Sequence, residues 1–254
     1  MAKRRVICIG NQKGGVAKTT TAVTLAHGLA LVGKRVLIVD TDPQGQAATF
    51  LGLRQESGLF DLLVGGRPLG DVVRSATLDG YPRDGLSLIP SDKRTATAQM
   101  VLQIERGARA TRALADALAR AEYDYLIFDT SPSVGVLQEA ALFASDWLIC
   151  PVAVDYPATE GLAGIIATLQ TVNADVGRCK LLAVIPTMYD RTRESDATLK
   201  QLRDSLGDVV TAPVHRAAIM RECASDGLTI WEKSPKSRAG GEYAALVRMV
   251  QDAG

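Results

Sequence analysis

The stretch GNQKGGVAKTTT, residues 10–21, lies between a short apolar run and an amphipathic one, and it contains two lysines, Lys13 and Lys18. A loop between a buried strand and a helix presents several backbone N–H groups and the positive end of a helix dipole, which together suit a di- or triphosphate. Gly14 and Gly15 allow the backbone to approach such a ligand closely. The stretch therefore predicts a phosphate-binding loop that leads into a helix.

Strand-like and helical patterns alternate along the rest of the chain. Apolar, β-branched runs of strand length recur at residues 6–10, 35–40, 86–90, 125–129, 147–154 and 180–185. Such runs are typical of strands buried on both faces. Apolar residues recur at helical spacing between some of them, as over 22–30, and again near the end, over 241–251.

This alternation predicts the fold class. We expect one α/β domain over residues 1–254, a doubly wound, mostly parallel sheet with helices on both faces, as in P-loop nucleotide-binding proteins. Ligands of such sheets bind at the carboxyl ends of the strands. Residues 51–85 are richer in glycine and turn signals, with one short helical pattern between them, so we expect this region to pass over the strand ends.

The bulk composition excludes several classes of protein. With 29 Lys and Arg against 28 Asp and Glu, the net charge is +1, so any nucleic-acid surface must be local. The four cysteines are far apart and form no CxxC pair, which argues against a metal or disulfide framework. The first apolar run breaks at Asn11, and no stretch of about 18 apolar residues follows, so a cytoplasmic protein is expected.

The phosphate loop departs from the usual form of its motif. The pattern G-x4-G-K-[ST] is not met, because Gln12 and Ala17 occupy its two glycine positions. The stretch matches instead K-G-G-x-G-K-[ST]-[ST], with Ala17 in place of the last glycine, and so resembles the ParA/MinD family of deviant Walker-A ATPases. In that family the early lysine, matched by Lys13, crosses a dimer interface to the phosphates bound by the other subunit. The resemblance thus implies a homodimer that forms on ATP.

The resemblance also implies roles for the other loop residues. Lys18 would lie over the β- and γ-phosphates, and the Thr19 hydroxyl would ligate Mg²⁺, as in P-loop enzymes generally. Met188 and Pro213 lie in segments that border the adenine in relatives. The expected nucleotide contacts are Lys13, Gly14, Gly15, Val16, Ala17, Lys18, Thr19, Thr20, Met188 and Pro213. If Ala17 needs a positive φ, its Cβ costs about 1–2 kcal/mol, whereas at negative φ it matters only by crowding the phosphates.

Three aspartates complete the expected ATPase site. The resemblance assigns Asp42 to the attacking water, making it catalytic with Lys13 and Lys18, and places Asp40 nearer the Mg²⁺. Asp129 ends a buried strand, a position typical of a carboxylate that holds Mg²⁺ through water, so Thr19, Asp40 and Asp129 form the expected metal set. Two plainer readings stay open: the DPQG sequence at 42–45 is a turn, and Asp129 caps a helix.

Blocks such as LSLIPS, PTMYDRTRES and SPKSRAGGEYAALV look like ParA blocks in order and spacing, and a chain that starts at its first strand resembles the small ParA type. ParA proteins of this kind bind DNA non-specifically as ATP dimers, through basic residues of the C-terminal half. The matching candidates are Arg191, Arg193, Arg216 and Arg221, with Lys236 and Arg238 as further possibilities. Residues 178–254 contain 12 basic and 10 acidic side chains, no overwhelming excess.

Other members of the superfamily fit less well. A MinD-type membrane ATPase requires an amphipathic tail beyond the last helix, and a nitrogenase-reductase-like protein requires paired cysteines near Asp129. The resemblance implies a cytoplasmic, nucleoid-associated ATPase, activated by a ParB-like or cargo-adaptor protein, that moves a plasmid or chromosome. Two alternatives stay open: the cargo is a protein compartment such as a carboxysome or chemotaxis cluster, or Ala17 makes the chain a weakly hydrolytic, nucleotide-gated DNA-binding protein.

Overall fold

The computed structural model describes residues 4–155, 159–175 and 178–253. Its strands are β1 (Arg5–Ile9), β2 (Val36–Asp40), β3 (Arg74–Ser75), β4 (Leu86–Ile89), β5 (Tyr125–Asp129), β6 (Trp147–Ala153) and β7 (Lys180–Thr187). They form one seven-stranded sheet in the order β3-β4-β2-β5-β1-β6-β7. Every neighbouring pair is parallel except β3–β4, which is antiparallel. The predicted mostly parallel sheet is confirmed.

Helices connect the strands and cover both faces of the sheet. The α-helices are α1 (Lys18–Leu31), α2 (Gln46–Phe50), α3 (Gly58–Leu63), α4 (Leu69–Val72), α5 (Arg94–Val101), α6 (Ala113–Ala117), α7 (Val136–Ala144), α8 (Thr159–Asp175), α9 (Arg193–Leu206), α10 (Ala218–Asp226), α11 (Ile230–Lys233) and α12 (Arg238–Asp252). A π-helical turn at Leu102–Arg106 and a 3₁₀ segment at Gly107–Arg112 join α5 to α6. Within the described ranges, no helix combines the length and apolar character needed to cross a membrane.

The region 51–85 contains more structure than its turn signals predict. It includes α3, α4 and the edge strand β3, which pairs through Arg74 with Leu88 and through Ser75 with Ser87. A two-residue edge strand is too short to show hydrophobic alternation, so the sequence pattern could not reveal it. Its antiparallel direction is the exception in an otherwise parallel sheet.

Strand residues divide alternately between two hydrophobic cores. In β1, Val6 and Cys8 join the cluster under α7 and α8, whereas Ile7 and Ile9 join the cluster under α1 and α12. The other central strands alternate in the same way, because successive side chains of a strand point to opposite faces. The sheet is thereby buried on both sides, and its carboxyl edge is left as the place for a ligand.

A buried arginine ties the end of α2 to the C-terminal helices. Arg83 is 1% exposed, and its guanidinium donates to both carboxylate oxygens of Glu232, at 2.8 and 3.0 Å. It also donates to the carbonyls of Leu51, Ala76 and Gly227, at 2.7, 3.1 and 2.9 Å. These five contacts match the five N–H donors of the side chain, so this buried charge is fully hydrogen-bonded.

Candidate nucleotide site

The loop between β1 and α1 opens onto a cavity of about 660 Å³ at the carboxyl edge of the sheet. No atom of the described residues lies within 4 Å of where a Cβ would stand on Gly14 or Gly15, so the loop backbone is open to a ligand. Thr187 donates to the carbonyl of the buried Val16 at 3.1 Å and fixes the middle of the loop. The cavity is lined by Gly14, Gly15, Ala17, Lys18, Thr19, Thr20, Asp42, Pro43, Gln44, Gln46, Phe50, Ala96, Gln99, Met100, Ser131, Pro132, Ser133 and Met188.

Ala17 adopts a left-handed backbone conformation, with φ 69° and ψ 33°, at the N-cap of α1. Of the two alternatives considered for this position, the structure selects positive φ. The Cβ therefore adds about 1–2 kcal/mol of steric strain that a glycine would not carry. The Ala17 carbonyl still accepts the N–H of Thr21 at 2.9 Å, so α1 begins in the ordinary way despite this strain.

Lys18 is nearly buried, at 7% exposure, and its Nζ donates to the carbonyl of Lys13 at 2.9 Å. Burial lowers the pKa of its ammonium, while the nearby carboxylates of Asp129 and Asp42 act in the opposite direction. A cation held this way inside the loop can turn from a backbone carbonyl to a phosphate over a short distance.

Asp40 and Asp129 are register partners on the adjacent strands β2 and β5. Asp40 is fully buried, and its carboxylate accepts the backbone N–H groups of Asp42 and Ala47 at 2.9 and 3.1 Å. Burial raises the pKa of Asp40 well above its ordinary value, and the neighbouring Asp129 raises it further. Asp40 therefore holds together the turn that follows β2.

Asp129 is equally buried, but neither of its carboxylate oxygens has a hydrogen-bond partner among the described residues. Burial raises the pKa of Asp129 to about 7; the nearby Thr19 hydroxyl lowers it, Asp42 raises it, and Lys18 lowers it. A buried, unsatisfied carboxylate is costly unless a cation or water satisfies it. Carboxylate and hydroxyl oxygens beside a phosphate site suit Mg²⁺, which keeps most of its waters and binds through one or two carboxylates. The residues present thus fit this cation.

Asp42 lies in a turn and also lines the cavity. Its Oδ1 accepts the N–H of Gln44 at 2.9 Å, and its carbonyl accepts the N–H of Gly45 at 2.9 Å and the Ser91 hydroxyl at 2.7 Å. A Cβ on Gly45, whose φ is 62°, would stand 2.3 Å from the Ser91 carbonyl oxygen, so the turn requires glycine. The DPQG sequence is therefore a turn, as the plainer reading had it, and this turn aims Asp42 at the cavity.

Lys13 is not among the described residues that line the cavity of its own chain. Its Nζ contacts Oδ1 of Asp155 at 2.8 Å, and its backbone N–H donates to Oδ1 of Asn11 at 2.8 Å. The two lysines of the loop therefore occupy different sites: Lys18 lines the phosphate cavity, and Lys13 lies outside it.

A second, mainly apolar cavity of about 180 Å³ shares Ala17, Thr20, Phe50 and Met188 with the first. It extends between α1 and the segment after β7, a suitable place for a flat, apolar base next to phosphates. Met188, which has φ 57°, borders both cavities, whereas Pro213 lines neither and its neighbour Val214 takes that place. The remaining lining residues are Thr187, His215, Arg216, Ala217, Met220, Arg221, Ala224 and Tyr243.

The four candidate DNA-binding arginines are all exposed. The loops that carry Arg191 and Arg216 are joined, because Tyr189 and His215 form a β-bridge and Arg216 N–H donates to the Tyr189 carbonyl at 2.9 Å. Arg193 begins α9, and Arg221 lies on α10. The structure therefore brings the loop of Arg191 to that of Arg216, and Arg216 and Arg221 border the base-sized cavity.

A partly buried polar network behind the loop was not predicted from the sequence. Gln12 Nε2 donates to Gln138 Oε1 and to the Thr168 hydroxyl, both at 2.9 Å, and Asn11 Nδ2 donates to the Pro151 carbonyl at 2.8 Å. Their partners lie more than 120 residues away in the sequence, so only polar residues in an apolar context could have hinted at this network.

These features define a P-loop on a doubly wound sheet, and comparisons with known proteins show the family to which this fold belongs. Residues 4–181 match the family profile described as an AAA domain. The chain is 41% identical over 252 residues to the chromosome-partitioning ATPase Soj of Thermus thermophilus, a match covering 98% of this chain and 96% of that protein. It is 34% identical over 256 residues to the chromosome partitioning protein ParA of Caulobacter vibrioides, with 97% and 93% covered.

A solved structure resembles it as well. The cobyrinic acid a,c-diamide synthase of Mycobacterium smegmatis, with bound ATP analogue and magnesium, superimposes with a TM-score of 0.81 at 28% identity, covering 97% of this chain and 93% of that one. The chain belongs to the ParA/MinD family of P-loop ATPases. The resemblance inferred from the loop sequence is thereby confirmed.

Proposed function

We propose that the protein is a Mg²⁺-dependent partition ATPase that forms a homodimer around ATP. The ATP-bound dimer binds DNA weakly. It releases the DNA when a partner protein stimulates hydrolysis. The observation that carries this proposal is the unsatisfied, buried carboxylate of Asp129, which ends β5 two residues before Ser131, a residue that lines the phosphate cavity. The relatives named for chromosome partitioning support the same reading.

Each residue at the cavity or buried behind it has a proposed task. Lys18 binds the β- and γ-phosphates, Thr19 and Asp129 hold the cation directly or through water, and Asp40 keeps the turn before Asp42 in place. Mg²⁺, when bound with the nucleotide, would neutralise charge that accumulates on the phosphates. Asp42 orients the attacking water, since its carboxylate lines the cavity from a turn fixed by Ser91.

Lys13 supports the dimer because it lies outside its own phosphate cavity. A cation donated by the second subunit would stabilise negative charge on the transferring phosphoryl group, a contribution of the kind that arginine fingers make in related enzymes. Hydrolysis is therefore slow in the lone subunit and requires assembly. The turn after Asp40 and the loop after Asp129 sense the γ-phosphate and couple it to assembly.

The dimer would bind DNA through exposed arginines, among them Arg191, Arg193, Arg216 and Arg221. Contacts of this kind go to phosphates and carry no sequence information. We propose that the protein works in the cytoplasm on the nucleoid, with a ParB-like or cargo-adaptor protein as the activator. A pull-down with Asp42→Ala, which should trap the ATP dimer, would identify that protein.

The dimer is tested by sedimentation of Lys13→Ala with ATP and Mg²⁺. This variant should bind ATP but fail to sediment as a dimer, whereas wild type should dimerise with ATP and not with ADP. Lys200→Ala is the matched control, because Lys200 is an exposed lysine on α9 that pairs with Asp204. An unchanged ATP-dependent sedimentation profile in Lys13→Ala would contradict the proposal.

The strained Ala17 favours a second candidate, a nucleotide-gated DNA-binding protein with weak hydrolysis. A methyl group directly before Lys18 constrains the loop at the point where the phosphates bind. Turnover of Ala17→Gly with DNA present separates the two functions. A rate equal to that of wild type favours the ATPase, and a rate increased about tenfold or more favours the weakly hydrolytic binder, in which Ala17 limits the chemistry.

A further inference from the structure

The first part of the phosphate loop, residues 11–13, is here called the loop arm, and its backbone is fixed by contacts from several directions. Asn11 ties it to β6 through the Pro151 carbonyl, and Gln12 N–H donates to the Gly161 carbonyl at 3.3 Å. Lys18 Nζ donates to the Lys13 carbonyl. Rearranging the backbone at Lys13 would therefore break several bonds at once, whereas rotation of its side chain leaves these backbone bonds in place.

Helix α8 packs directly against this arm because two of its residues are glycines. A Cβ on Gly161 would stand 2.2 Å from Asn11 Oδ1 and 2.7 Å from Lys13 backbone N. A Cβ on Gly164 would stand 2.0 Å from Gln12 Oε1. The position of the arm is thus set by close packing, and the ammonium group of Lys13 is the part that can relocate.

Asp155, the partner of that ammonium, directly follows the last residue that pairs β6 with β7. It follows Val154, whose N–H donates to the Thr187 carbonyl at 3.0 Å and so continues the register of β6 with β7. Its carboxylate meets Lys13 Nζ at 2.8 Å, with the two side chains 52% and 28% exposed respectively. In the single chain the ammonium therefore already has an anionic partner.

We propose that Asp155 is a positioning residue that retains Lys13 within its own subunit and must give it up when the subunits close on ATP. This inference rests on the proposed function, in which Lys13 reaches the partner's phosphates. Asp155 and that triphosphate are then competing anions for one cation. Each dimer loses two Lys13–Asp155 pairs, so the competition enters the dimerisation equilibrium twice.

Because Asp155 already binds the Lys13 ammonium, the phosphates of the other subunit can capture that ammonium only if they attract it more strongly than Asp155 does. A triphosphate carries more charge than a diphosphate at the position facing the partner, so it displaces Asp155 more readily. Removing the Asp155 carboxylate lowers the free energy needed to move Lys13 to the partner's phosphates by the same amount for ATP and ADP. The weaker ADP-bound association then becomes measurable, while ATP-bound dimers become tighter.

The test is the dimer dissociation constant of Asp155→Asn, measured by sedimentation equilibrium with Mg²⁺ and a non-hydrolysable ATP analogue. We expect it to be about 2- to 30-fold lower than that of wild type, since two half-exposed ion pairs no longer oppose association. With ADP, the variant should show dimer at protein concentrations where wild type shows none. Asp155→Glu, which keeps the charge, should behave like wild type.

The decisive comparison is between Lys13→Ala alone and the double variant Lys13→Ala with Asp155→Asn. If Asp155 acts through Lys13, adding Asp155→Asn to Lys13→Ala changes nothing further, whereas a general effect of charge or packing would persist. Asp204→Asn is the matched control, because it removes the acid of another exposed Lys–Asp pair.

Two results would overturn this role and can be told apart. If Lys13→Ala abolishes the dimer but Asp155→Asn leaves its dissociation constant unchanged or raises it, Asp155 does not restrain Lys13 and the proposed function stands. If Lys13→Ala dimerises like wild type, the proposed function fails and the role of Asp155 fails with it.

Discussion

The phosphate loop and the arginine-bearing surface use charge in opposite ways. At the loop, Lys18, Asp40 and Asp129 are buried, and burial is the largest influence on each pKa. On the other surface, Arg191 and Arg216 are exposed and solvated. Buried charges interact strongly with their neighbours, so single substitutions there have large effects that depend on context. Exposed charges contribute small, separable amounts, and salt screens them.

The largest expected effect is that of Asp129→Asn. Turnover should fall about 10- to 100-fold, because the carboxylate proposed to hold the cation is lost. Above about pH 7 stability should change in the opposite direction, because the variant no longer buries the charge that the wild-type carboxylate then carries. Steady-state ATP hydrolysis, with a nucleotide-binding measurement, checks the first part. Wild-type turnover in the variant would remove Asp129 from the site.

The pH dependence of stability tests the same carboxylate in the nucleotide-free protein. The folded-state pKa of Asp129 is about 7, and an unfolded aspartate titrates near about 3.9. Between these values the folded chain binds the extra proton, so this group makes stability fall as pH rises, by up to about 1.4 kcal/mol per pH unit. The difference in urea unfolding between wild type and Asp129→Asn measures this slope together with the change at Asp40, whose pKa Asp129 also raises. A flat difference would contradict the prediction.

Arginine substitutions should have intermediate effects that add. Arg191→Ala and Arg216→Ala should each weaken DNA binding in the ATP state and reduce the slope of log affinity against log salt by about 0.9. Arg120→Ala is the control, since Arg120 is exposed just before β5, at the opposite end of the strands. Strong non-additivity between the two substitutions would mean that this surface resembles the loop more than we infer.

A smaller effect is expected from Ala17→Gly on stability. Relief of the left-handed strain gains about 1–2 kcal/mol, and the greater freedom of glycine in the unfolded chain offsets about half of it. The variant should be more stable by about 0.5–1 kcal/mol in urea unfolding. A destabilised variant would mean that the Ala17 methyl makes contacts that outweigh its strain.

The smallest effect is expected from Pro213→Ala. Pro213 lines neither cavity, so ATP affinity should stay within about twofold. Met188→Ala should weaken ATP binding by about 1 kcal/mol, because Met188 borders both cavities. Isothermal titration compares the two. Equal losses would place the base against the Pro213 segment rather than against Met188.

The features that the sequence predicted correctly are those encoded by patterns among neighbouring residues. The six longer strands and the phosphate loop follow from apolar runs and glycine spacing, which act over a few residues. The two-residue strand β3 carries no such pattern. Asp155 could not be assigned to Lys13, because 142 positions separate them. The left-handed state of Ala17 was one of two alternatives that only backbone geometry could decide.

The five-donor contact of Arg83 has a mechanical consequence. Leu51 ends the helix that follows the Asp42 turn, and Gly227 ends the helix that carries Arg221. A shift of one carbonyl alone would leave a buried guanidinium N–H without an acceptor, a penalty of about 1–3 kcal/mol or more. Rigid-body motion of both helices with Glu232 avoids that penalty. Arg83 therefore couples the neighbouring helices α2 and α10, and we expect a displacement of α2 to carry α10 with it.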